Sequence, residues 1–368
     1  MVNKMKKYGI LLSALLVSMA LQAAKPVKNV IFMIGDGMGL NQAYAAAMAQ
    51  NAPLVMMSQA DAIALQETWS ANRKITDSAA SGSALACGQK TNNGMIGMTT
   101  DSVPMYSILV DAQRNGKATG IVVTCDLCHA TPASFYAHTE KRGNMDVISR
   151  EMLDYAPNIM IGGGRRHLSG RADSLDLASA LKEQGKQLFN SFEDLQQSSV
   201  LRQRNPSEQA SLLAFCAEEH LPAKLEGRGD YLPQAVALAI DYLSQDKDGF
   251  VLMVEGSAID FRCHASDVQG VIAETLDFDK AVQVAVDFAR KQKNTLVVVT
   301  ADHETGGLSV LQDKVYQQGE NFKHRFNTSG HTGVAVPVYL FGAGVDAYPP
   351  FLQNSDHKAI MSSLMKLK

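Results

Sequence analysis

The sequence predicts a doubly wound α/β fold, a mostly parallel sheet sandwiched between helices. Three observations predict it. Short aliphatic runs recur along the chain and are apolar on both faces, as strands covered by helices require. Helical patterns lie between them. The runs end in glycine turns and clusters of Asp, Glu, His and Thr, the usual place for working residues in such sheets.

The first run, Val30–Ile34, ends in Gly35-Asp36-Gly37-Met38-Gly39. Its spacing is GxGxG, not the GxGxxG of a dinucleotide turn, and the acidic residue would repel a pyrophosphate. An Asp in such a turn is better suited to a cation. Ile121–Thr124 is the next run, and Asn158–Ile161 leads into Gly162-Gly163-Gly164. Pro233 suits a first helical turn, and Val236, Ala239, Ile240 and Leu243 follow at helical spacing up to Gly249. Phe250–Val254 is a strand. After Ser266 or Asp267, the residues Phe278, Ala281, Val282, Ala285, Phe288 and Ala289 hold one helical face up to the strand Thr295–Thr300. That strand–helix–strand unit crosses over right-handed. Val336–Phe341 closes the set, and Gln197–Glu208 reads as a surface loop. No repeat, low-complexity tract or linker divides the chain.

Composition agrees with a globular core. The chain has 368 residues, 46% apolar and 19% charged, with a formal charge of −3. That balance gives no footprint for nucleic acid. Lys4, Lys6 and Lys7, an apolar stretch from Ile10 to Leu21 and small residues Ala20, Ala23 and Ala24 read as a secretory signal peptide, residues 1–23. Its removal takes three lysines away and leaves the charge at −6. No later run is long enough for a membrane span. The expectation is one exported domain over residues 24–368, periplasmic or secreted. Five cysteines, an odd number, leave at least one thiol unpaired; Cys125 and Cys128 form a lone CxxC that reads as small buried residues near a site.

Donor residues collect at the run ends. Asp36 follows the first; His129 and Thr131 follow the second; Glu255, Asp260 and His264 follow Phe250–Val254; Asp302 and His303 follow Thr295–Thr300; His331 stands in a turn before the last. Mixed His/Asp donors suit zinc, and carboxylate and hydroxyl oxygens suit magnesium. Residues 76–83, TDSAASGS, put Ser78 at the start of a helix, whose N-terminus favours an alkoxide and an incoming anion. There is no G-x-S-x-G elbow, so activation by a metal fits better than a triad.

In order, the blocks DGMG, TDSAAS, HATPASFYAH, GGGRRH, VEGSAID, TADHETGG and SGHTG make the chain resemble the alkaline phosphatase family from about Lys28 onward. The resemblance implies hydrolysis of phosphate monoesters through a phosphoserine on Ser78, at a site of two zinc ions and one magnesium. It implies Asp260, His264 and His331 on the first zinc, and Asp302 and His303 on the second. Asp36 would bridge the second zinc and the magnesium, which Thr131 and Glu255 complete. Arg142 would grip phosphate, with Asp77, His129 and Phe261 beside it or one shell out. Phe261 stands where many relatives carry Lys, His or Trp, so weaker phosphate binding is expected. Only 27 residues separate the TADHETGG and SGHTG cores, 304 to 330, which leaves no room for a large interface subdomain. A monomer or homodimer is expected. Related phosphodiesterases and a catalytically dead binding protein on the same scaffold are the alternatives; every expected ligand is present, which disfavours the second.

Overall fold

The computed structural model describes residues 26–202 and 205–368; the signal-peptide reading of residues 1–23 lies outside the described residues. Ten strands form one sheet: β1 Asn29–Gly35, β2 Ala62–Glu67, β3 Ala118–Asp126, β4 Ile159–Gly163, β5 Gln187–Phe189, β6 Leu212–Phe215, β7 Phe250–Gly256, β8 Thr295–Thr300, β9 Val336–Gly342 and β10 Phe351–Gln353. Their spatial order is β10-β2-β9-β8-β1-β7-β3-β4-β6-β5. The six runs read from the sequence are all strands. The central ones alternate between the two faces: Val30, Phe32 and Ile34 pack into one apolar layer, Ile31 and Met33 into the other. Burial on both sides is what makes these strands continuous apolar runs.

Two corrections apply to the expected sheet. The last run, β9, is antiparallel to both of its neighbours, β8 and β2. Four strands, β2, β5, β6 and β10, were not read at all. β2 is exposed on one face, with Ile63 56% and Leu65 43% accessible, and ends in the polar pair Gln66-Glu67, so it lacks a buried-run signature; β5 and β10 have three residues each. The stretch Gln197–Glu208 carries two short 3-10 turns, Ser199–Arg202 and Pro206–Glu208.

The long crossover helix runs Val268–Gln292, capped by the Asp267 carboxylate accepting from the Gly270 N–H at 3.0 Å. Helix Tyr231–Leu243 lies against it. The order β8-β1-β7-β3 places four chemically loaded strand ends side by side. Register fixes their level: Ile34 faces both Glu255 and Thr300, and Val123 faces Glu255. Neighbouring strands are about 4.8 Å apart, so these ends can share ions. Residues 304–330 form small loops and two-residue ladders, with no large inserted domain.

Candidate metal and phosphate site

Asp36 follows β1 directly and is fully buried. The turn needs glycine next to it: Gly37 has φ +69°, and a Cβ there would lie 2.8 Å from Thr305 Oγ1 and 2.9 Å from Asp260 Oδ1. The Gly37 N–H donates to Asp302 Oδ1 at 3.1 Å, which locks the ends of β1 and β8 together. Ser81, one turn into the Ser78 helix, donates to the Asp302 carbonyl at 2.6 Å. Ser78 is the first residue of helix Ser78–Cys87, as expected, and its Oγ lies 3.3 Å from His303 Nε2.

Asp260 and His264 stand one turn apart on a short helix, Ala258–His264, that follows β7. This helix was not read from the sequence; its spacing of four puts both donors on one face. His331 arrives by a two-residue antiparallel ladder in which it pairs with Thr305. Two clusters result. Oxygen and nitrogen atoms of Asp260, His264 and His331 lie within 4.8 Å of one another, and so do those of Asp36, Asp302 and His303.

Hydrogen bonds orient the imidazoles. The Nδ1–H of His331 donates to the Thr76 carbonyl at 2.8 Å, and that of His264 to the Ser329 carbonyl at 2.5 Å. Their Nε2 atoms then face each other at 3.2 Å, with Asp260 3.3 Å from His264 and 3.8 Å from His331. Thr305 donates its hydroxyl to Asp260 Oδ1 at 2.5 Å and accepts from His303 Nδ1 at 3.2 Å. His303 Nε2 is thereby turned to Asp302 at 3.2 Å and Asp36 at 3.6 Å. Backbone acceptors that fix a ring while its other nitrogen faces a carboxylate are the usual support of metal ligands.

The fit to cations rests on unpaired atoms. Both oxygens of Asp36, Asp302 Oδ2, Glu255 Oε1 and Thr131 Oγ1 are buried without a hydrogen-bond partner. Buried carboxylates left this way are costly unless a cation takes the place of water. Burial, then repulsion from Asp302, Asp260 and Glu255, pushes the Asp36 carboxyl well above its ordinary range. Burial raises Glu255 to about 7, and burial with the Asp260 charge raises Asp302 to about 8. Asp260 behaves differently: burial works to raise it, but the His264 hydrogen bond and the His303 and Thr305 contacts hold it below the ordinary carboxylate range. His264 is raised to about 9 by its hydrogen bond to Asp260. These donor sets suit divalent ions: Asp/His for zinc, carboxylate and hydroxyl oxygens for a harder ion.

Arg142 is placed by Asp77, whose Oδ2 accepts from Arg142 Nη1 at 3.2 Å and from the Gly94 N–H at 3.0 Å. The other Asp77 oxygen caps the Ser78 helix, accepting from the Ala80 N–H at 3.0 Å. One carboxylate therefore positions both the serine and the guanidinium. His129 Nε2 lies 3.4 Å from Arg142 Nη2, and the His129 ring meets the Phe261 ring edge-on at 5.6 Å. Burial and the Arg142 charge lower His129 to about 3, so it is a neutral ring. All thirteen residues singled out in the sequence, from Asp36 to His331, lie in this one neighbourhood.

Several partners were missed. Thr305 sits inside a quoted block but carries no charge to draw notice. Asp126 accepts from His167 Nε2 at 2.7 Å and from the Cys128 N–H at 2.8 Å, fixing the turn that presents His129. His220 packs against Phe261, ring centroids 4.8 Å apart and tilted by 54°, and accepts from the Asp126 N–H at 3.0 Å. No local pattern pairs residues so distant in sequence.

The family model described as alkaline phosphatase matches residues 27–330. The chain belongs to the alkaline phosphatase family. It is 36% identical to alkaline phosphatase 4 of Bacillus subtilis over 92% of this chain and 89% of that one. It is 35% identical to alkaline phosphatase 3 of the same organism, over 79% of this chain and 64% of that longer relative. The structure of alkaline phosphatase from the Antarctic bacterium TAB5 superposes with a TM-score of 0.85 at 34% identity, covering 94% of this chain and 99% of that one. A variant of the TAB5 enzyme was solved with Mg bound in its M3 site. The alkaline phosphatase family is metal-dependent, and family and fold together support an enzyme that hydrolyses phosphate monoesters.

Proposed function

We propose that this alkaline phosphatase family member hydrolyses phosphate monoesters through a covalent phosphoserine on Ser78. The observation that carries the reading is the position of the Ser78 hydroxyl: 3.3 Å from a histidine whose Nε2 also faces two buried, repelling carboxylates. A serine there has no general base of the usual kind, since His303 is oriented to offer its lone pair to the same point as Asp36 and Asp302.

Asp260, His264 and His331 would hold one zinc, and Asp36, Asp302 and His303 the second. Asp36, Thr131 and Glu255 would hold a third cation, magnesium on the family's pattern. When bound, such cations stabilise an alkoxide and the charge on phosphoryl oxygens. The chain's own residues do the rest. Ser78 Oγ attacks phosphorus in line with the departing alcohol, helped by its helix N-terminus. Arg142, pinned by Asp77, keeps a planar face of donors for the phosphoryl oxygens, a grip that lysine could not copy. Water then attacks the phosphoserine from the side the alcohol left, and Ser78 departs. The export signal read in residues 1–23 would place this activity outside the cytoplasm.

The test is direct. Purified protein should hydrolyse p-nitrophenyl phosphate far faster than its bis ester, lose activity to a chelator and regain it with zinc and magnesium. Ser78→Ala should lose on the order of 10⁴-fold or more in turnover while binding its cations. Near-full activity in that variant would refute the covalent route.

A further inference from the structure

The third cation position has a donor that the family pattern does not call for. Cys125 lies near the end of β3, fully buried, and its Sγ stands 3.4 Å from Glu255 Oε2. Cys125 Sγ, a His129 ring nitrogen and a Glu255 carboxylate oxygen all lie within 4.8 Å of one another. His129 Nδ1 and Glu255 Oε1 are buried without a partner, as is Thr131 Oγ1 in the same recess. Sulfur, nitrogen and oxygen donors therefore converge where unpaired atoms already ask for a ligand.

We infer that the third cation position of this chain is a sulfur-containing site that takes a thiophilic divalent ion, of the zinc or cobalt class, ahead of magnesium. The inference rests on the three-cation reading and changes only the donors and the ion of its third position. The physical reason is donor softness. Magnesium demands near-ideal octahedral oxygen coordination and keeps water, whereas thiolate and imidazole select zinc, cobalt and their neighbours. The balance is simple: the Cys125 S–H bond breaks, a sulfur–metal bond forms, the proton leaves to solvent, and nothing is oxidised or reduced. The Cys125 thiol gives up its hydrogen bond to the Asp126 carbonyl, at 3.2 Å, as it turns to the ion. Cys128, three residues on, is held elsewhere; its Sγ groups with Asp126 and His167 and lies 3.9 Å from the Tyr136 hydroxyl.

The experiment is a cobalt titration of the chelator-stripped full-length protein, read by absorbance. At three equivalents of cobalt, a near-ultraviolet thiolate-to-cobalt charge-transfer band should appear. It should persist in about 100-fold excess magnesium, a selectivity set by the soft ligand. Cys125→Ser and Cys125→Ala should each abolish the band, with circular dichroism confirming the fold, and Cys128→Ser should keep it. Three cobalt ions bound without a thiolate band overturn this inference and leave the three-cation reading standing. A band that survives both Cys125 variants also overturns it. Fewer than three bound cations overturn the reading beneath it as well.

Discussion

The two Asp/His clusters differ in solvent exposure, and their electrostatics follow. In the inner cluster, Asp36, Asp302 and His303 have fully buried side chains. In the outer one, the His264 side chain is 41% accessible and that of His331 14%. Burial, then repulsion between neighbouring carboxylates, drives both inner carboxyls up in pKa. The outer Asp260 has a compensating His264 and is driven down. The outer cluster thus balances its charge within the protein, while the inner one needs ions or protons from outside. In the proposed reaction, the exposed cluster is where the alcohol would leave and water would enter.

The largest effect should come from breaking the inner cluster. Asp302→Asn is expected to cost on the order of 10³-fold in kcat/KM, comparable to removing a central electrostatic stabiliser. At pH 9, above the raised value of Asp302, the same change should raise the melting temperature of the chelated protein, because it removes a buried charge that would otherwise be ionised. A chelated variant that melts below the chelated wild type would break the comparison.

The pH dependence of the chelated protein is next. Glu255 and Asp302 are raised to about 7 and about 8, so the folded state keeps protons that the unfolded chain releases. That stability is complete below the unfolded carboxylate range and is lost as pH rises through about 8. His264, raised to about 9, acts in the same direction: its contribution is complete below its unfolded value and fades through about 9. Asp260 acts only at acid pH, because its folded value is low. The chelated protein should therefore melt several degrees lower at pH 9 than at pH 5.5, with a smaller drop once zinc is bound. Thermal unfolding by circular dichroism with and without zinc checks this; a flat profile in chelator would sink it.

Thr305→Val sharpens the comparison, since the Thr305 hydroxyl bridges both clusters. Loss of an outer hydrogen-bond partner typically costs about 10–100-fold in metal affinity. Zinc affinity measured by competition with a chromophoric chelator should fall in both clusters; an effect on neither would make the threonine mere packing. The smallest effect concerns Phe261, whose ring lies on His129 and His220. Phe261→Lys should lower the phosphate inhibition constant by several-fold, about the net worth of one ordinary, solvent-accessible hydrogen bond. An unchanged constant would place that side chain out of reach of phosphate.

The site was legible because its parts are chemically conspicuous and stand at strand ends. Asp36, Glu255 and Asp302 each close a buried run, and an apolar run that stops at a carboxylate is visible in one dimension. Asp260 and His264 were legible as donors but not as a helical turn, because seven residues give too little periodicity to read. β2 escaped notice because one of its faces is wet. Thr305, Asp126 and His220 escaped notice because their roles exist only through partners far along the chain.

By itself, the sequence determined the central parallel strands, the crossover helix and the inventory of donors, since burial on both faces and helical spacing leave their pattern in local order. Only the tertiary structure decided that the last strand runs antiparallel, that Thr305 joins the two clusters, that Asp77 holds both Ser78 and Arg142, and that Cys125 reaches Glu255. Strand direction at the sheet's edge and contacts across the fold are set by packing between segments distant in the chain, and residue spacing carries no record of them.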